Sequence, residues 1–134
     1  MSFHHLRSER GVSVSVLVCL LIPVLLLCVG LAVDGAAQGA AHRRAEAVAA
    51  QAARAGVDAA APVMLAGLDG GATATSAAEQ VLTANPGIAG EVSVGAGDLL
   101  QVHTHTSVST VFLSLAGIDE LTGRGSAEVE LRSR

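Results

Sequence analysis

The residues Val12 to Val33, VSVSVLVCLLIPVLLLCVGLAV, form a run of 22 positions without a charged side chain. Arg7 and Arg10 precede the run, and Asp34 follows it. As an α-helix the run would be about 33 Å long, which is close to the thickness of the hydrocarbon core of a bilayer. A secretory signal peptide has a shorter apolar core, of roughly 7–15 residues. The run therefore predicts one uncleaved membrane-spanning helix over residues 12–33.

The charges on either side of this run predict its orientation. Residues 1–11 form a short polar leader that contains Arg7 and Arg10, and the positive-inside rule keeps such a leader in the cytoplasm. Arg43 and Arg44 on the other side of the run oppose this tendency, but the 11-residue leader has no other feature that would determine its side of the membrane. We expect a single-pass protein of the cell membrane, with a cytoplasmic N-terminus and an extracytoplasmic C-terminal part.

The composition excludes several classes of function. The net charge of −4 argues against binding to nucleic acid, which favours a basic surface. The chain has two Phe and neither Tyr nor Trp, so the roughly 100 residues outside the leader and span have little material for a core. Cys19 and Cys28 lie inside the run and are interpreted as small apolar fillers rather than a disulfide. We expect one small domain that gains stability from partners or from the membrane.

An alanine-rich segment follows the span and is predicted to be a helix over residues 34–61, ended or kinked by Pro62. Its small side chains recur at steps of three and four, which places them in one stripe: Ala37, Ala41, Ala45, Val48, Ala52, Ala55 and Ala59. The segment is either a solvated stalk or a packing face for other subunits, and bulk at Ala45 and Ala52 should then disturb assembly before folding. Gly35 and Gly39 have the spacing of a close-packing helix face, or they form a flexible joint.

Residues 62–134 are predicted to form a small extracytoplasmic α+β domain. Ser76 and Glu79 have the spacing of a capping box, which would begin a short helix that ends at Asn85-Pro86-Gly87. Three segments then alternate between apolar and polar residues, as strands of a small antiparallel sheet do: Glu91–Val94, Leu100–Val108 and Leu121–Leu131. The predicted fold is α+β and pilin-like.

The chemistry of an enzyme is not apparent in this chain. The spacing of Ser, His and Asp does not match a nucleophile elbow, and no glycine-rich segment has the Lys and Ser/Thr of a phosphate-binding loop. His103 and His105 share one strand face, as two metal ligands could, but no further ligand completes a site. We interpret them as polar residues on a solvated face and expect no catalytic residue, cofactor, metal or small-molecule substrate.

The order of motifs resembles the TadE/TadG-like proteins of tight-adherence (Flp) pilus assembly, in particular the actinobacterial type. The resemblance rests on the segments Arg7-Ser-Glu-Arg-Gly11, Val33-Asp34-Gly35, Ala52-Ala-Arg-Ala-Gly56 and Thr110-Val-Phe-Leu-Ser-Leu-Ala-Gly-Ile118, together with the apolar run. It implies a pseudopilin-like protein in which a prepilin peptidase cuts between Gly11 and Val12. Family members commonly carry Glu five residues after that glycine. Here the position is Val16, which predicts inefficient or absent cleavage.

Together, these observations predict a structural, non-enzymatic component of a tight-adherence pilus or a related secretion apparatus. Its partners would be the membrane and other pilus-assembly or pseudopilin subunits, contacted through Gly35, Gly39, Ala45 and Ala52. The alternative is an extracytoplasmic binding module, anchored or secreted, that uses the N-terminal segment only for export.

Overall fold

One long helix organises the molecule. The computed structural model describes residues 9–131, with side chains from Val14 onward. Its first element, α1, covers Glu9–Leu65 without interruption, a length of 57 residues or about 85 Å. The predicted membrane helix and the predicted alanine-rich helix are therefore one rod. Pro23 and Pro62 both lie inside α1, so the helix continues beyond Pro62, where the sequence predicted an end or a kink.

The remaining elements form a short helix and a three-stranded sheet: α2 Gly71–Thr83, β1 Ala89–Gly95, β2 Leu99–Ser109, a 3-10 helix Leu113–Ala116 and β3 Glu120–Glu130. The strand order is β1-β2-β3, and both pairs are antiparallel. The predicted α+β fold class, with a long apolar helix, a short helix and a small antiparallel sheet, is confirmed.

The start of α2 differs from the predicted capping box. The helix begins at Gly71, so Ser76 lies in its interior. The carboxylate of Asp69 accepts a hydrogen bond of 2.9 Å from the N–H of Gly71, which satisfies one of the free donors at the helix start. The predicted end is close to the observed one, because α2 stops at Thr83 and the Asn85 amide donates to the Val81 carbonyl at 2.8 Å.

The two faces of the sheet agree with the predicted alternation. On β2, Val102 and Thr104 are buried while His103 and His105 are exposed. The inner face of the sheet packs against α1 and α2, and its outer face is open to solvent. Antiparallel sheets commonly have one covered and one solvated face.

The sheet lies along the second half of α1 at close range. A Cβ at Gly123 would stand 2.6 Å from the carbonyl carbon of Ala41, and one at Gly125 would collide with the backbone of Ala45 and Glu46. Because glycine has no side chain, β3 can approach the small residues of the helix this closely. The Thr104 hydroxyl on β2 also donates a 2.8 Å hydrogen bond to the carbonyl of Ala45.

This packing corrects the expectation for the alanine stripe. Ala45 and Ala52 are both 0% exposed, covered by the chain's own sheet and α2, and so neither can receive a neighbouring subunit in this fold. The helix over residues 34–61 is consequently the central element of the α+β unit, and it does not stand apart from residues 62–134 as a stalk.

Two small clusters make up the core. One joins α1, α2 and β2 nearer the middle of the unit: Ala49, Ala52, Ala53, Ala78 and Val102. The other closes the end of the unit farthest from the apolar run: Ala60, Ala74, Leu100 and Leu131. Most members are alanine, so each buries little apolar area, and larger partly buried residues such as Leu82, Val92 and Met64 pack against them.

Candidate functional site

The first half of α1 has almost no cover from the other residues that the structure describes. From Val14 to Val33 every residue is exposed except Gly30. α1 is the one helix in the described part of the chain that is long and apolar enough to cross a membrane, judged by length and composition. Its apolar side chains are thus available to lipid or to the helices of other proteins.

A buried carboxylate marks the point where this uncovered half ends. Asp34 is 1% exposed, and its carboxylate accepts three backbone hydrogen bonds. They come from the N–H groups of Val111 at 2.9 Å, Phe112 at 2.9 Å and Leu113 at 2.7 Å. Hydrogen bonds to an ionised acceptor are stronger than neutral ones. Asp34 therefore holds the segment between β2 and β3 firmly against α1.

The same contacts set the protonation state of Asp34. The N–H of Val111 has the largest effect and lowers the pKa of this carboxyl, and the N–H groups of Leu113 and Phe112 act in the same direction. Burial opposes them, but the pKa of Asp34 stays below its ordinary value. The carboxylate is therefore ionised at neutral pH, as the three donors require.

The segment that Asp34 holds is a closed loop, residues 111–118, which we call the clamp loop. The N–H of Thr110 donates to the carbonyl of Asp119 at 2.9 Å, and the Thr110 hydroxyl donates to the carbonyl of Ile118. The 3-10 turn inside the loop ends at Gly117, whose φ of 83° is in the left-handed region that favours glycine. The loop is consequently defined by internal bonds as well as by Asp34.

Phe112 places the clamp loop against the apolar half of α1. A Cβ at Gly30 would collide with the Phe112 side chain, so this glycine makes room for the aromatic ring. Gly30 lies one helical turn before Asp34, inside the uncharged run. The clamp loop therefore reaches past Asp34 toward the predicted membrane span.

The two predicted packing glycines, Gly35 and Gly39, are more exposed than the predicted packing alanines, Ala45 and Ala52. Gly35 is exposed, and no atom of the described residues lies within 4 Å of the position its Cβ would occupy. Gly39 is half-buried, beside the Arg43 side chain. Contact of these two glycines with another helix stays a prediction.

The predicted processing site also stays a prediction. Gly11 and Val12 lie in the first turns of α1, and their side chains are outside the described part of the structure.

The predicted histidine pair is on the open face of the sheet. His103 and His105 line a shallow depression together with Glu46 and Arg124. Among the residues whose side chains are described, no three His, Cys, Asp or Glu are grouped as metal ligands. His42, which is close in space, is bonded through Nδ1 to the backbone of Arg124 at 3.0–3.1 Å.

Sequence reasoning did not assign a role to Asp34 or to Phe112. The available signal was a single acidic residue directly after a long apolar run, together with one of only two Phe residues in an apolar segment remote in sequence. Neither observation says that the two meet, because 77 positions separate Asp34 from Val111.

A family model matches part of this chain. No curated protein and no solved structure is similar enough to this chain to count as a relative. Residues 11–61 match the family model described as Flp pilus-assembly TadE/G-like. The matched range includes the apolar run, Asp34 and most of the covered half of α1. Over residues 11–61 the chain is thus similar to TadE/G-like Flp pilus-assembly proteins, and the match confirms the resemblance that its sequence predicted.

Proposed function

We propose that this protein is a single-pass, pseudopilin-like structural component of a tight-adherence pilus assembly or of a related secretion apparatus. The observation that carries the proposal is the division of α1, which lies within the TadE/G-like match for most of its length. One half exposes an apolar surface, and the other half is covered by the chain's own α+β unit. This division suits a subunit that is anchored in a membrane and carries a small domain beside it.

Contact with other subunits is assigned to the uncovered half of α1. Ala45 and Ala52 are occupied within the chain, so a neighbouring helix has access instead to the apolar surface over residues 14–33 and to the adjoining Gly35. Small residues let helices approach closely in a membrane, and Gly35 has open space around it.

A structural rather than catalytic role is consistent with the open face of the domain. The depression at His103 and His105 is shallow, and neither histidine is buried. Enclosed, largely apolar pockets with a few convergent polar groups are typical of catalytic sites. The two histidines lack that setting.

Two measurements test the proposal. A periplasm-active reporter fused after Arg134 should be active and a cytoplasm-active reporter should be silent, because the leader arginines favour a cytoplasmic N-terminus. Deletion of the gene should reduce surface pili or adherence, and expression of the intact gene should restore them. Unchanged piliation in the deletion strain would contradict the assembly role.

The intact mass of the membrane-extracted protein separates this proposal from the binding-module alternative. An uncleaved chain would support an anchored subunit. We expect this result because Val16 stands where members of the family commonly carry Glu. A chain that starts at Val12 would show that a prepilin peptidase accepts this sequence. A start near Asp34 or later would mean that the apolar run serves only for export.

A further inference from the structure

The clamp loop exposes an unusual amount of apolar surface for so short a segment. The exposed fraction is 64% for Val111, 86% for Leu115 and 46% for Ile118, and Phe112 keeps 37% despite its contact with Gly30. No charged side chain occurs between Thr106 and Ile118. Exposed apolar patches of this kind mark surfaces that contact a membrane or another protein.

The location of the patch identifies what covers it. Phe112 packs at Gly30, and Asp34 lies four residues, or about 6 Å, further along the helix axis. Gly30 belongs to the last turn of the uncharged run that would fill the hydrocarbon core. A helix that spans the bilayer with these residues brings the clamp loop to the level of the membrane surface.

The backbone of the clamp loop is suited to an apolar environment. The N–H groups of Val111, Phe112 and Leu113 donate to Asp34. Those of Leu115, Gly117 and Ile118 donate to carbonyls within the loop, at 3.0–3.2 Å. Backbone groups that enter lipid must be satisfied internally, since water is not available to replace the missing bonds. At least six of the eight amides in this segment meet that requirement.

We propose that the clamp loop is a second membrane contact, which inserts Val111, Phe112 and Leu115 into the interfacial region of the phospholipid leaflet from which α1 emerges. This inference rests on the proposed membrane span. Asp34 is the positioning residue, because its three hydrogen bonds hold the loop against the helix and bury its own charge at this depth. With two contacts, the α+β unit has a defined depth and tilt relative to the bilayer, which one helix alone does not impose.

The test measures the depth of single labelled positions in the full-length protein. Cys19→Ala and Cys28→Ala remove the two native thiols, and one cysteine is then introduced at Leu115 and labelled with an environment-sensitive fluorophore. The protein is reconstituted into phosphatidylcholine vesicles that contain lipids with a quencher on the upper acyl chain. Leu115 is 86% exposed, so its replacement leaves the fold intact.

Two matched positions serve as controls. Leu27→Cys, in the predicted span, reports whether α1 is inserted. Leu68→Cys, an exposed leucine 66% accessible beyond the far end of α1, reports the behaviour of an apolar position remote from the clamp loop. We expect quenching and a blue shift of emission at positions 27 and 115 and neither effect at 68. Asp34→Ala should reduce quenching at 115 and leave 27 unchanged.

The other outcomes distinguish failure of the clamp-loop contact from failure of the membrane span. Quenching at 27 without quenching at 115 would overturn the second membrane contact and leave the span intact. Absence of quenching at 27 would overturn the proposed span and with it this inference. A blue shift at 115 that is insensitive to the lipid quencher, and that disappears when the ratio of protein to lipid is lowered, would show that a second copy of the chain covers the patch.

Discussion

The two halves of α1 have similar helical backbones and opposite surroundings. Over residues 14–33 the side chains are large and aliphatic, yet the chain leaves them exposed. Over residues 34–65 the side chains are mostly alanine, yet several are completely buried. Apolar size therefore does not decide which half the domain covers. Close approach does, since glycines on β3 can come against alanines and could not come as near to leucines.

The largest effect is expected where bulk is added to the covered half. Ala45→Leu inserts three carbons beneath Gly125, where the backbones of β3 and α1 are already in contact. Overpacking of a filled core costs about 1–3 kcal/mol and occasionally more, which is a large share of the stability of a small domain. We expect unfolding or low abundance, measured by chemical denaturation of the α+β unit in the detergent-solubilised protein.

Ala47→Leu is the matched control for this change. Ala47 lies on the same helix but is exposed, so the same substitution should alter the free energy of unfolding by no more than about 0.5 kcal/mol. Equal stability of the two variants would mean that the sheet does not cover Ala45. The sequence predicted that bulk on the alanine stripe would disturb assembly before folding. The burial of Ala45 contradicts this order of effects, and the two variants test it directly.

The boundary between the two halves should respond to acid. The pKa of Asp34 is lowered in the folded protein, so the unfolded state binds the proton more readily. The stabilisation from its ionised form is present above the unfolded pKa of about 3.9 and is lost as the pH falls through the lower folded value. We expect lower protection factors for amide hydrogen exchange at Val111 to Leu113 below that range, measured against the intrinsic exchange rate at each pH.

Asp34→Asn provides the comparison for the acid response. The amide is not ionised, so the exchange of the clamp loop should already be fast at pH 7 and should lose the part of its pH dependence that comes from Asp34. Asp69→Asn, at the start of α2, removes a charged acceptor far from the loop and should leave its exchange unchanged. An identical pH profile in the wild type and in Asp34→Asn would contradict the role assigned to this carboxylate.

A smaller effect is expected from a methyl group at the last turn of the apolar run. Gly30→Ala collides with Phe112 and should displace the ring from α1, which loosens the clamp loop. Gly35→Ala meets open space, and helix propensity alone should make it neutral or stabilising by up to about 1 kcal/mol. Thermal denaturation of the two variants under the same conditions compares them. Equal melting temperatures would show that Phe112 does not pack against Gly30.

The smallest effect is expected on the open face of the sheet. His103→Ala combined with His105→Ala changes two exposed residues and should shift the free energy of unfolding by no more than about 0.5 kcal/mol. The melting temperature should also be insensitive to a metal chelator, with Glu128→Ala as a control on the same face. A chelator-sensitive transition that disappears in the histidine double variant would establish a metal site.

Periodicity in the sequence was sufficient for the regular elements. The step of two along Leu100–Val108 correctly predicted which face of β2 is buried, because alternate side chains of a strand point to opposite sides. The capping box at Ser76 was wrong for a local reason, since α2 begins five residues earlier, at Gly71, whose N–H donates to the Asp69 carboxylate just before the helix. Glycine and alanine gave no information about their partners, because neither has a side chain whose polarity or shape indicates a neighbour.

The candidate site shows the same division more sharply. The apolar run Val12 to Val33 and the match over residues 11–61 follow from the sequence, because both depend on residues that are consecutive in the chain. The position of the clamp loop depends on the contact between Asp34 and Val111, and that contact exists only once β2 and β3 lie along α1. The sequence by itself determined that the chain has an apolar helix and a small sheet. The tertiary structure alone decided that the alanine stripe is used internally and that an apolar loop lies beside the end of the apolar run, since both result from where the sheet rests on the helix.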